Sequence, residues 1–453
     1  MENKRGICLL NDSFPPSIDG VANAVSNYAR IIDERYGSAM VMTPDYPGAD
    51  DSVWKFPVLR YPSLDLRKQI GFMAGFPFSP ELSLALKENK VELLHSHCPV
   101  VSTILARELK STVDAPLVLT YHTKFDIDIA KAVKGKALQE SAIRALVANV
   151  NGCDEVWVVS RGAGENLRSL GFEKDYTVMP NGVDLPLGRV SDEKIREACA
   201  GNDLPAGVPV FLFIGRMMWY KGLRIILDAL AFVKEMDIDF RMVFVGDGTD
   251  MREVQDYAKT LRLDGKCLFT GPVRNRETLR AWYARADLFL FPSTFDTNGL
   301  VVREAAASGL ASVLVRGSCA AEDTKDCENA FWIDENAASL GAKLVRLTQN
   351  PDLMKRAGEN AARDLYCSWE DAVGAAWDRY GTVIENYKSG RYKPDHSFDE
   401  LVFRGTGEIM EYLGELEGTR RDIERRLNAQ HQATQEKLQE AYTALWNIMD
   451  RYL

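Results

Sequence analysis

Short apolar runs alternate with helix-length stretches along most of the chain, and the whole alternation happens twice. Gly6–Asn11 is followed by a loop, Asp12–Gly20, and a helical pattern near Val21–Asp33. Further runs lie at Ser38–Thr43, Val91–Ser96, Pro116–Thr120, Glu155–Ser160 and Tyr176–Met179. After a polar stretch, Gly188–Val208, a second series begins: strands at Val210–Gly215, Arg241–Val245, Cys267–Thr270, Leu288–Pro292 and Ser312–Val315. Its helices lie near Gly222–Glu235, Met251–Leu261, Glu277–Ala286 and Val302–Ser308. Runs this short and this apolar are buried on both faces, as parallel strands are, and parallel strands need helical crossovers of fixed hand. The pattern predicts an α/β chain of two Rossmann-like domains, residues 1–187 and 188–368, facing across a cleft. An aromatic-rich helix, 369–388, would cross back to the first domain, ahead of a helical tail, 389–453.

The length, 453 residues, agrees with two cores rather than one. The net charge is −10, with −3 in the first 187 residues and −7 in the rest. Without a basic surplus the chain is not read as a nucleic-acid binder. The eight cysteines include no closely spaced pair of the zinc-binding kind, so reduced thiols in a cytoplasmic protein are expected, with Cys319 and Cys327 the one pair that could meet in space. No apolar run reaches membrane-spanning length, and MENKRGICLLNDSF does not read as a signal peptide. In the tail, Ile409, Leu413, Leu416, Ile423, Leu427, Leu438, Leu445, Ile448 and Tyr452 fall mostly at steps of three and four. They fit a long helix packed on the body or a short coiled coil forming a homodimer.

The chemistry concentrates in the second series. Arg216 follows a strand directly and Lys221 stands at the next helix start, so both cations can reach one point at the carboxyl end of the sheet, where open α/β sheets bind ligands. The alternative is two solvated surface cations. Further on, Asp296 and Glu304 flank a turn, Thr297-Asn298-Gly299-Leu300, that opens a helix. Carboxylates there suit hydrogen bonds from sugar hydroxyls, and Gly299 permits close backbone approach. The alternative is a helix cap and a surface acid. Asp12 and Asp19 line the first loop, where either could meet an acceptor hydroxyl or simply hold the turn. His97 is either a cleft residue or a structural one. Gly246-Asp247-Gly248 lacks the third glycine of a dinucleotide fingerprint, since position 251 is Met. Cys319 is read as part of a loop rather than as a nucleophile.

Taken together, FPPSIDGVANAV, HSHCP, TYHTKF, PNGVD, GRMMWYKGL, VGDGTDM, FTGPV and the Asp296–Glu304 segment resemble glycosyltransferase family 4, of the GT-B fold, over roughly residues 5–388. The resemblance is to retaining enzymes of the kind that glycosylate diacylglycerol or phosphatidylinositol. It implies an N-terminal acceptor domain and a C-terminal nucleotide-sugar donor domain. It further implies that Gly20 approaches the donor phosphate and that Arg216 and Lys221 clamp the diphosphate. Glu304 would hold the ribose, Asp296 and His122 would face the transferred sugar, and Val273 would lie by the base. Asn298, Gly299 and Leu300 would offer backbone N–H groups. No metal and no tightly bound cofactor is implied; the nucleotide-diphosphate sugar, UDP-glucose or similar, is the co-substrate. One departure stands out. The family usually has Glu where this chain has Asp296, and an aromatic before the glycine where it has Asn298, which leaves the donor sugar open.

The acceptor is a hydroxyl on a lipid or a small molecule. Arg67, Lys68, Phe72, Met73, Phe76, Phe78, Lys131, Lys134 and Lys136 form basic and aromatic stretches suited to an anionic membrane surface, with ordinary packed helices as the alternative. Two other function classes compete: an epimerase or phosphorylase on the same architecture, and a noncatalytic interaction protein whose tail organises a complex.

Overall fold

The computed structural model describes residues 5–392 apart from 18, 66–72, 76–81, 83–84, 87 and 133–134. Arg67, Lys68, Phe72, Phe76, Phe78 and Lys134, and the whole tail with its coiled-coil expectation, lie outside the described residues, as does the side chain of Lys131. Met73 is a buried strand residue.

The chain divides into two compact units. One comprises residues up to 157, 165–177 and 377 onward; the other comprises 158–164 and 178–376. The first series comprises β1 (Gly6–Leu10), α1 (Gly20–Ile31), β2 (Ser38–Pro44), β3 (Val58–Tyr61), β4 (Ser63–Asp65), β5 (Met73–Gly75), β6 (Val91–Ser96), α2 (Val101–Val113), β7 (Leu117–Tyr121), α3 (Phe125–Ala132), α4 (Lys136–Asn151), β8 (Glu155–Val158), α5 (Arg161–Ser169) and β9 (Thr177–Val178). They build a seven-stranded sheet in the order β3-β2-β1-β6-β7-β8-β9, with β4 and β5 as a separate antiparallel pair. The pairs β1–β2, β1–β6, β2–β3 and β6–β7 are parallel.

The second series comprises α6 (Asp192–Cys199), β10 (Val210–Ile214), α7 (Leu223–Glu235), β11 (Arg241–Val245), α8 (Met251–Thr260), β12 (Cys267–Gly271), α9 (Arg276–Arg285), β13 (Leu288–Phe291), α10 (Leu300–Ala307), β14 (Ser312–Val315), β15 (Phe331–Ile333), α11 (Ala337–Thr348), α12 (Pro351–Asp364) and α13 (Trp369–Lys388). Its sheet runs β12-β11-β10-β13-β14-β15, every pair parallel. Strands β10 and β13 are buried along their whole length, as helices on both faces require. Both sheets are doubly wound, so the Rossmann-like reading is correct for each.

The sequence reading missed β3, β4, β5, β15, α6, α11 and α12. Strand β3 is an edge strand between prolines, with half-buried residues and so no strong apolar run. Helix α6 buries only Ile195; its signal is a cap, Ser191, followed by Asp192 and Glu193 in the first turn, which resembles a polar loop in composition.

The aromatic residues of α13 are explained by packing. Tyr380 stacks on Trp157 at 5.3 Å, and its hydroxyl lies 2.6 Å from Nδ1 of His95. Trp377 sits so close to Gly37 that a Cβ there would come within 2.5 Å of its ring. Near the other end of the helix, Trp369 donates from its indole to Asp184 at 2.7 Å.

Candidate functional site

In a doubly wound sheet, ligand-binding loops gather at the carboxyl ends of the strands where the order reverses. The second sheet reverses between β10 and β13, the first between β1 and β6. Arg216 to Gly222 follow β10, and Pro292 to Gly299 follow β13.

The two loops of the second sheet are locked together. Gly222 has φ +79°, and a Cβ on it would meet the Pro292 carbonyl oxygen at 2.3 Å, so only glycine permits the approach. Lys221, ending a single 3₁₀ turn, is buried; its Nζ lies 2.6 Å from Oδ1 of Asp296. Oδ2 of Asp296 accepts from the Ser293 hydroxyl at 2.7 Å. The rings of Tyr220 and Phe295 flank the ammonium, each centroid 5.6 Å away. Lys221 is therefore no solvated surface cation. Arg216 is exposed and its side chain makes no hydrogen bond or ion pair to another described residue.

Past Asp296 the chain turns into α10 through Gly299 at φ +58°, where a Cβ would press on Ala320 at 3.0 Å. Gly299 brings no side-chain cap, so the first N–H groups of α10, from Leu300 on, have no side-chain partner there. The Asn298 side chain is buried, and neither its Nδ2 nor its Oδ1 has a partner among the described residues. Glu304 lies within α10. Its Oε2 accepts from the Tyr283 hydroxyl at 2.9 Å, and its Oε1 lies 3.5 Å from Nη1 of Arg276. Burial pushes the Glu304 carboxyl up, while Tyr283 and Arg276 oppose the rise. Val273, past β12, packs half-buried against the same core. Asp247, two residues past β11, accepts from the N–H of Gly248.

The first sheet presents a different set. Asp12 is buried and accepts from the backbone of Val101 at 3.1 Å and of Ser102 at 2.7 Å, so it opens α2. Asp19 caps α1, with Oδ1 accepting from Val21 and Ala22 at 2.9 and 2.8 Å. Both acids of the first loop thus hold helix starts. Gly20 is exposed, and a Cβ on it would meet nothing within 4 Å. His122, after β7, is buried, and its Nε2 lies 2.9 Å from Nδ1 of His97. His97 in turn packs on His95 at 4.0 Å, and His95 is held by Tyr380 and, at 2.7 Å, by the Thr120 hydroxyl. Burial holds all three imidazoles neutral, drawing His122 down to about 3 and the other two well below their ordinary range.

Arg276, Tyr283 and Asp184 escaped the sequence reading. Tyr283 is an interior helix residue, and Arg276 and Asp184 lie in polar surroundings that give no periodic signal. Among the described residues no group of histidines, cysteines and acids could hold a metal ion, no helix is long and apolar enough to cross a membrane, and all eight cysteines are free.

The second switch point combines a buried ammonium, an exposed guanidinium and an uncapped helix start, all favourable to an anion, with two acids able to accept hydroxyls. Residues 18–186 match the model of Glycosyltransferase Family 4, and residues 195–364 that of Glycosyl transferases group 1. The chain is 25% identical to alpha-monoglucosyldiacylglycerol synthase of Streptococcus pneumoniae, over 67% of this chain and 69% of that protein. It is 23% identical to the protein of the same name from Acholeplasma laidlawii, over 78% and 91%. Among solved structures, the Anabaena protein HepE in complex with UDP superposes with a TM-score of 0.67 at 19% identity, covering 83% of this chain and 100% of that one. Two family matches in tandem, each on a doubly wound sheet, establish that this chain belongs to the family 4-type glycosyltransferases of the GT-B fold and is a hexosyltransferase.

Proposed function

We propose that the chain moves a hexosyl unit, with retention, from a nucleotide-diphosphate sugar of the UDP-glucose kind to the hydroxyl of a diacylglycerol-type membrane lipid. The observation that carries the reading is the pair of buried Lys221 and half-buried Asp296, with the exposed Arg216 in the same loop after β10, at the switch point of the second sheet. In the proposed cycle, the donor diphosphate takes Lys221 and Arg216, and a hydroxyl of the transferred sugar takes the acid that Lys221 leaves. As the glycosidic bond to the diphosphate breaks, negative charge grows on the leaving oxygen, where the two cations stabilise it. The N–H groups at Asn298, Gly299 and Leu300 add to that field, Glu304 holds the ribose, and Val273 lies by the base. Gly20 leaves room for the phosphate, and His122 faces the sugar as a neutral hydrogen-bonding group, because an imidazole drawn to about 3 carries no proton to give as an acid. The departing phosphate oxygen accepts the acceptor's proton. Asp19, occupied as a helix cap, is assigned no further contact.

The lipid acceptor is supported by the two diacylglycerol-acting relatives. Incubation with a panel of nucleotide sugars and total lipid extract, read by mass spectrometry, tests the reading. A new hexosyl lipid is expected with a UDP-sugar. Nucleotide release with every lipid unchanged would overturn the lipid acceptor, and conversion of the donor to an isomeric nucleotide sugar without acceptor would make the chain an epimerase.

A further inference from the structure

Glu304 stands at the head of a chain of contacts that the donor reading leaves unused. Arg276 is the first residue of α9, where a cation opposes the helix dipole, so the local sequence disfavours it. Its compensation comes from outside the helix. Nη2 lies 2.7 Å from Oδ2 of Asp184, whose Oδ1 accepts from the Trp369 indole, and Nη1 faces Glu304. Trp369 is buried, so the indole gives Asp184 a fixed anchor and Asp184 gives one to a guanidinium that is otherwise half exposed. From the other side comes the hydroxyl of the buried Tyr283.

We propose that Arg276 and Tyr283 are positioning residues for Glu304, orienting its carboxylate to accept both hydroxyls of the donor's ribose, with Asp184 and Trp369 holding Arg276 in place. The proposal rests on the reading of Glu304 as the ribose acid. A carboxylate has about four lone-pair directions, two on each oxygen. Tyr283 takes one on Oε2 and Arg276 faces Oε1, which leaves one on each oxygen: the pattern a vicinal diol needs. The same two neighbours favour the ionised carboxylate against burial, and only the ionised form accepts on both oxygens.

Titration calorimetry with UDP and 2′-deoxy-UDP, and in parallel GDP and 2′-deoxy-GDP, separates this role from a structural one. The wild-type enzyme is expected to prefer the ribonucleotide by roughly tenfold, the size of effect of a charged hydrogen bond. Arg276→Leu and Tyr283→Phe should each raise the ribonucleotide Kd by about fivefold and leave the deoxynucleotide Kd within about twofold, with Arg276→Lys recovering part of the loss. A Tm matching the wild type verifies that each Arg276 and Tyr283 variant is folded. Parallel weakening of both nucleotides, or no weakening of either, overturns the proposal provided that Glu304→Ala still abolishes the ribose preference. A preference that survives Glu304→Ala overturns instead the reading of Glu304 itself.

Discussion

The two sheets share one strand order around their reversal, yet the chemistry placed there differs in kind. The first holds three buried neutral imidazoles and two acids spent on helix starts; the second holds an ammonium, a guanidinium and two acids, each paired with a cation. Topology decides where a site forms, and side-chain charge decides what it can do. Burial acts on both with opposite results. It strips protons from His95, His97 and His122, while at Glu304 it pushes toward the protonated form.

The contrast is sharpest in acid. A histidine whose folded pKa lies far below 6.5 binds its proton only in the unfolded chain, so its contribution to stability is present at neutral pH and drains as pH falls below 6.5. Each such group costs about 1.4 kcal/mol per pH unit, and three act together. Asp12 and Glu108, both raised by burial, pull the other way in the same unit but are fewer. In the second unit the raised Glu304 favours the folded state as pH falls. Hydrogen exchange between pH 6.5 and 4.5 should therefore lose protection first on β6 and β7, with β10 and β13 protected longer. Simultaneous loss in both sheets would remove the distinction.

The catalytic side of the contrast is next in size. Lys221→Ala should lower turnover by about 10²-fold or more, the usual loss when one preorganised charge facing a leaving group is removed. Asp296→Asn follows, with kcat falling by roughly tenfold or more while the Kd for UDP stays within about threefold, because the acid serves the sugar and not the nucleotide. Steady-state kinetics paired with calorimetry reads both. Equal damage to turnover and nucleotide binding by Asp296→Asn would end its sugar-specific role.

What the sequence disclosed follows the same division. The buried strands were legible because burial on both faces leaves an unbroken apolar run: Arg241–Val245 and Ser312–Val315 are found as expected, and Gly6–Asn11 within a residue. Lys221, Asp296 and Glu304 were singled out from spacing and resemblance, and the structure brings the first two together. Illegible were contacts between residues far apart in the chain. Nothing local ties Arg276 to Asp184 or Tyr283 to Glu304, and nothing marks His97 as the partner of His122, since each depends on two loops meeting at the end of a sheet. Edge strand β3 and helix α6 were hidden for a different reason: half-buried elements carry too few apolar residues to declare their period.

The smallest effect concerns a glycine of the expected site whose surroundings in its own unit do not demand it. Gly222 and Gly299 are fixed by positive φ and by neighbours that a Cβ would strike. Gly20 has neither constraint, sits at the first turn of α1, and would accept a methyl group without contact inside 4 Å. Gly20→Ala should then leave Tm unchanged or raise it slightly, because alanine costs the unfolded chain about 0.4–1 kcal/mol of conformational freedom. If the open space serves the donor phosphate, the same methyl group should raise the KM for the nucleotide sugar by a few-fold, roughly the price of one displaced contact in a bound ligand. A variant more stable and equally active would show that phosphate approach does not use this turn, and the charged switch point of the second sheet would then carry donor binding without help from the first loop.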